Sequence, residues 1–191
     1  WNNFGNYTYR NADDLRTQLM EADNSFQGVL SFVNYVEGIY TGYKYYETAA
    51  DDGVINYEEY VQYPFGYGLS YTTFSQKITN FKTGKKGVTL EVTVTNTGEK
   101  AGRDTVQLYY TPPYTNGGIE KSSVNLLDFE KTEELQPQES QKIVFEIPLE
   151  DMASYDSQCI KTENGGYILE AGEYILSVRE DSHNVLDEVV F

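Results

Sequence analysis

Hydrophobic and polar residues alternate most cleanly over Val88, Leu90, Val92 and Val94, which interleave with Thr89, Glu91, Thr93 and Thr95. A period of two puts one set on a buried face and the other in water, so the stretch predicts a strand. Similar short apolar runs recur at 75–81, 105–110, 126–130, 143–147, 167–169, 174–178 and 185–191, and Gly, Pro and Asn punctuate the connections. Such strands, with polar connectors and no long amphipathic helix, predict a mainly β fold in which two antiparallel sheets pack as a sandwich.

The first third follows a different pattern. Residues 1–10 mix aromatics with turn formers and predict a loop. Asn11 is placed to cap a helix over 12–22, where Leu15, Leu19 and Ala22 fall at helical spacing. Val29–Val36 predicts a buried strand, and Ile39, Tyr43 and Tyr46 recur near every 3.6 residues, which predicts a further turn or two of helix. Strand, turn and helix make a small α/β remnant that cannot bury both of its faces alone.

Between the two patterns runs Tyr63-Pro64-Phe65-Gly66-Tyr67-Gly68-Leu69-Ser70-Tyr71-Thr72-Thr73-Phe74. Pro64 excludes helical geometry from the residue before it, and Gly66 and Gly68 permit bends closed to other residues. Aromatic rings on a bending segment need something to pack against. The chain thus divides into an incomplete α/β tail (1–62), an aromatic connector (63–74) and a β-sandwich (75–191).

Composition narrows the partners. Hydrophobic residues make up 39% of the 191 and aromatics 15%, enough for a packed core, while 30 acidic against 14 basic residues leave a net charge of −16. That balance opposes nucleic acid, whose binding rests on basic patches, and leaves neutral ligands such as sugars open. No apolar run approaches the length of a membrane span and no signal peptide is visible, which tilts the expected compartment toward the cytoplasm without deciding it.

Candidate chemistry is sparse. Cys159 is the one cysteine, so no internal disulfide can form, and the single histidine, His183, lies in a polar turn where a solvated ring is expected. Asp52-Gly53-Val54-Ile55-Asn56-Tyr57-Glu58-Glu59 resembles the second half of a calcium loop. Thr48 and Ala50, however, fall where its first two oxygen ligands belong, and Ala50 has no side-chain oxygen, so no metal site is expected. Asn6-Tyr7-Thr8 forms a glycosylation sequon of the kind that arises by chance. Tyr109, Tyr110 and Tyr114, beside Pro112-Pro113, could form a platform for sugar stacking if exposed, or pack into the core if not.

Several segments together resemble the C-terminal portion of bacterial glycoside hydrolase family 3 enzymes, the β-glucosidase and β-xylosidase group. Tyr35–Tyr46 is similar to the end of that family's α/β sandwich domain, with Lys44 where Arg is common. Tyr63–Phe74 resembles its connector, and Val92–Gly98, Val106–Tyr110, Leu127–Lys131, Ala153–Asp156 and Ala171–Tyr174 resemble its fibronectin type III-like domain. The resemblance implies a retaining glycosidase parent with an aspartate nucleophile on a barrel domain and a glutamate acid/base on the sandwich domain. No segment matches the nucleophile's motif, and the acid/base usually lies well upstream of Glu37, so no catalytic residue is expected in this chain. Some relatives place the barrel after the fibronectin-like domain.

The expected role is accordingly that of a noncatalytic accessory segment. It would brace the catalytic domains of its parent, an enzyme acting on β-linked glucosides or xylosides. No cofactor is expected. The side chains expected to pack against neighbouring domains are Glu37, Tyr40, Tyr43, Tyr63, Phe65 and Tyr67. The alternative expectation is a carbohydrate-binding module that uses exposed tyrosines.

Overall fold

The structure, a computed structural model, describes residues 38–191. The helix expected over 12–22, the strand expected over 29–36 and Glu37 lie outside the described residues. The chain divides into two compact units, Trp1–Thr41 and Gly42–Phe191.

The second unit contains helix α1 (Tyr43–Asp51), a single helical turn α2 (Tyr57–Tyr60), and strands β1 (Phe74–Thr83), β2 (Gly87–Asn96), β3 (Thr105–Thr111), β4 (Asn125–Lys131) and β5 (Ser140–Pro148). A 3-10 turn (Leu149–Met152) leads into β6 (Ser154–Tyr155), β7 (Tyr167–Ile168), β8 (Ile175–Arg179) and β9 (Val185–Val190). The strands form a three-stranded sheet in the order β1-β2-β5, a four-stranded sheet in the order β4-β3-β8-β9, and a two-stranded ribbon of β6 and β7. These strands all pair antiparallel. The fold is therefore mainly β, as expected. The two-residue β6 went unpredicted because a strand so short carries no period.

The alternation in β2 does what it predicts. Val88, Leu90, Val92 and Val94 are buried and join Ile143, Phe145 and Ile147 of β5 in a core closed from the other sheet by Val106, Leu108, Leu176 and Val178. Strand β3 breaks the rule, because Gln107 and Tyr109 are buried as well as Val106 and Leu108. Their neighbours on β8, Arg179 and Ser177, are buried too and pair with them in register. The outer face of the four-stranded sheet thus has a cover, and α1 and the connector supply it. Tyr43 of α1 meets the Tyr109 ring edge-on at 6.1 Å. Its hydroxyl accepts a 2.8 Å hydrogen bond from the backbone N–H of Leu126 on edge strand β4.

Residues 43–62, which the sequence assigns to the α/β tail, hence share one compact unit with the sandwich.

Candidate functional site

A buried carboxylate anchors the helix. Glu47, 3% exposed, accepts hydrogen bonds from the Tyr57 hydroxyl (2.8 Å) and the Ser182 hydroxyl (2.7 Å) on one oxygen, and its other oxygen lies 2.9 Å from His183 Nδ1. The His183 ring stacks on Tyr57 at 3.8 Å. A carboxylate taken from water must recover its hydrogen bonds, and here three partners do so, two of them from the β8–β9 turn. Burial, then the nearby Glu47 carboxylate, pushes the Tyr57 phenol far above its ordinary value. His183 keeps the exposure expected of a ring in a polar turn, while one nitrogen meets Glu47 and one face lies on Tyr57. Asp181 in the same turn, 1% exposed, is spent on the backbone N–H groups of His183 and Asn184. Arg179 donates to Ser177 Oγ and the Ser182 carbonyl and lies over the Tyr109 ring.

The connector is tied down at both ends. The Phe65 carbonyl accepts from the Ser182 N–H at 2.8 Å, and the Gly66 carbonyl accepts from Gln107 Nε2 at 3.3 Å. Gly66 has φ +89°, and a Cβ there would fall 2.2 Å from Gln107 Oε1, so only glycine lets the backbone cross the sheet this closely. Farther along, the Thr72 hydroxyl donates to the fully buried Asn96, whose amide reaches the carbonyls of Lys100 and Leu135.

Between these anchors the rings face outward. Phe65 stacks on Tyr43 at 4.8 Å yet stays half exposed; Tyr63 and Tyr67 pair at 5.1 Å; Leu69 is 90% and Tyr71 100% exposed. Of the expected packing residues, Tyr63, Phe65 and Tyr67 share this surface, Tyr43 supports it from beneath, and Tyr40 lies in the other unit. An apolar row on a fixed backbone is a surface suited to burial against a partner.

Of the two readings of Tyr109, Tyr110 and Tyr114, two of the three side chains follow the core-packing one. Tyr109 is fully buried, with its hydroxyl on Gln107 Oε1, Tyr110 is 9% exposed, and only Tyr114 of the three is open. Burial, reinforced by neighbouring charge, pushes the Tyr110 phenol up to about 12. In the segment resembling a calcium loop, Thr48 and Ala50 are helical, and the Thr48 hydroxyl is taken by Lys44 O and Ser123 N. Among the described residues no helix is long and apolar enough to cross a membrane.

Another buried carboxylate, Asp156, serves its own loop by accepting from the backbone N–H groups of Ile160, Lys161 and Thr162 and from Thr162 Oγ1. Sequence reasoning missed the Glu47 cluster, because its partners stand far apart in the chain and no local pattern joins them.

Residues 104–182 match the fibronectin type III-like domain family. Over 158 aligned residues the chain is 41% identical to beta-glucosidase A of Butyrivibrio fibrisolvens, covering 75% of this chain and 18% of that protein. It is 32% identical to an exo-alpha-(1->6)-L-arabinopyranosidase of Bifidobacterium longum, covering 86% and 20%. Among solved structures, beta-glucosidase 3B from Thermotoga neapolitana in complex with glucose superposes with a TM-score of 0.70 at 36% identity, covering 83% of this chain and 20% of that one. The chain therefore spans a fifth or less of the length of these proteins.

Proposed function

Because the chain belongs to glycoside hydrolase family 3, as the part of a β-glucosidase-like enzyme that holds the fibronectin type III-like domain, we propose that it is a noncatalytic brace for the catalytic domains of its parent. In this reading residues 1–62 are the tail of the parent's α/β sandwich domain, 63–74 the connector and 75–191 the bracing sandwich. The parent hydrolyses β-linked glucosides or xylosides, and its catalytic domains are the partner of the connector rings.

The observation that carries the reading is the outward row of Tyr63, Phe65, Tyr67, Leu69 and Tyr71 on a backbone pinned at Phe65, Gly66 and Thr72. Rings held in place before contact lose little conformational freedom when they are covered, so most of their burial counts toward docking. Glu37, Tyr40 and Tyr43 complete the proposed packing set. The buried acids Glu47, Asp156 and Asp181 are all engaged in holding turns, which suits a structural part. The region also recurs in relatives whose names give different sugars, as expected of a part that does not select the substrate.

The test is turnover of an aryl β-glucoside. The chain alone is expected to give none. Hydrolysis by the chain that disappears when one of its own carboxylates is changed would overturn the proposal.

A further inference from the structure

The β6–β7 ribbon stands outside both sheets of the sandwich, at the end of the strands opposite the β8–β9 turn that anchors the connector. It carries two tyrosines opposite each other in register. Tyr155 and Tyr167 have ring centroids 5.2 Å apart at 68°, and Tyr167 is 77% exposed. An open cavity of roughly 500 Å³ beside them is lined by Glu150, Ala153, Tyr167 and Leu169. Its size falls in the range of small-molecule sites.

The ribbon is also fixed. Asp156, directly after β6, closes the loop that joins the two strands through its hydrogen bonds to Ile160, Lys161 and Thr162, and the Asp156 N–H bonds the Gly166 carbonyl at 2.8 Å. Gly165, at φ +78°, leaves room for Tyr155, whose hydroxyl would lie 2.7 Å from a Cβ there. Glu170, after β7, pairs with both Lys121 and Lys161. A two-residue ribbon would not hold a ring in place by its own ladder. These side-chain ties do so instead.

We propose that this ribbon is a stacking site for a neutral pyranose, with the Tyr167 ring as platform, Leu169 and Ala153 as its apolar floor and Glu150 as acceptor for sugar hydroxyls. The Glu150 carboxylate has no hydrogen bond or ion pair among the described residues and so is free to accept. A pyranose matches the site because one of its faces presents C–H groups to an aromatic ring while its rim donates hydroxyl protons. The net charge of −16 disfavours anionic ligands. The choice of a β-linked glucan as the sugar rests on the proposed function of the parent. The site itself is separate from the connector surface and needs no hydrolysis.

The experiment is ligand-observed saturation-transfer NMR on the full chain with cellobiose and cellotetraose. Transfer to the sugar ring protons is expected. Tyr167→Ala should weaken binding about tenfold or more, whereas Tyr167→Phe and the remote Tyr60→Ala should leave it unchanged. A melting curve on each variant confirms the fold, which an exposed side chain such as Tyr167 should not alter. Absence of transfer to the unmodified chain, or transfer that Tyr167→Ala leaves intact, overturns the proposal. Either result leaves the bracing role standing, because that role is judged on turnover and on the connector.

Discussion

Glu47 in the helix and Ser182 in the β8–β9 turn, 135 positions apart, are joined by a buried 2.7 Å hydrogen bond. The contact fastens the helix to the sandwich, and its loss strands several groups at once. Replacing Glu47 with Ala leaves the Tyr57 and Ser182 hydroxyls without their acceptor, so the chain should lose about 2–3 kcal/mol of unfolding free energy in urea. Glu47→Gln, which keeps an acceptor oxygen, should lose less.

The close crossing at Gly66 allows a second check. Gly66→Ala combines a left-handed backbone with a clash against Gln107 and should cost about 1–3 kcal/mol. Adding Gln107→Ala removes the clash but also the connector's hydrogen bond. Thermal melts of the two single variants and the double variant should therefore be non-additive.

Acid should act on the ribbon loop. Burial pushes the Asp156 carboxyl up, but the N–H groups of Lys161, Ile160 and Thr162 and the Thr162 hydroxyl together hold it below the usual carboxylate range. A carboxyl depressed by folding adds stability above its unfolded value of about 4, and this stability is lost as pH falls through the lower folded value. Relative to the intrinsic exchange rate, the protection of the Lys161 and Thr162 amides should hold at pH 5 and be lost only in strong acid. Asp156→Asn should lower that protection at pH 5, where the native carboxylate is charged, and flatten the dependence.

Alkali tests the opposite sign. Burial raises Tyr43, Tyr57, Tyr109, Tyr110 and Tyr174, with Tyr110 pushed up to about 12. A phenol raised by folding contributes stability that is complete below its unfolded value near 10 and is lost as pH rises toward the folded one. Ultraviolet titration should therefore show a late class of tyrosines ionising together with unfolding.

Changing the exposed connector rings should separate their local from their docking role. Tyr63→Ser with Tyr71→Ser should shift the stability of this chain by no more than about 0.5 kcal/mol, since neither ring is covered. In the whole parent enzyme the same pair should lower Tm by a few degrees, read by calorimetry.

The sandwich was legible because its evidence is local. Val88 to Val94 declare a buried face every second residue, and the turns between strands carry Gly, Pro and Asn. The cover on the outer face was not. Gln107 sits at a position that alternation assigns to water, and only the bulk of Tyr109 hinted that something lay above it. The Glu47 cluster was hidden for a related reason: a glutamate among tyrosines looks like an ordinary solvated helix residue until the fold brings His183 and Ser182 to it. The connector's aromatics were visible, but which would turn outward depended on anchors at Ser182, Gln107 and Asn96, none of them near in sequence.

The double burial of β3 sets a rule for anyone excising or grafting this module. Trimmed to Phe74, where the strands begin, the sandwich would be stripped of its lid, and Tyr109, Gln107 and Arg179 would meet bulk water on a face evolved to be dry. A portable version must start near Gly42 and carry its helix with it, so the smallest transferable piece is larger than its β-strands alone suggest.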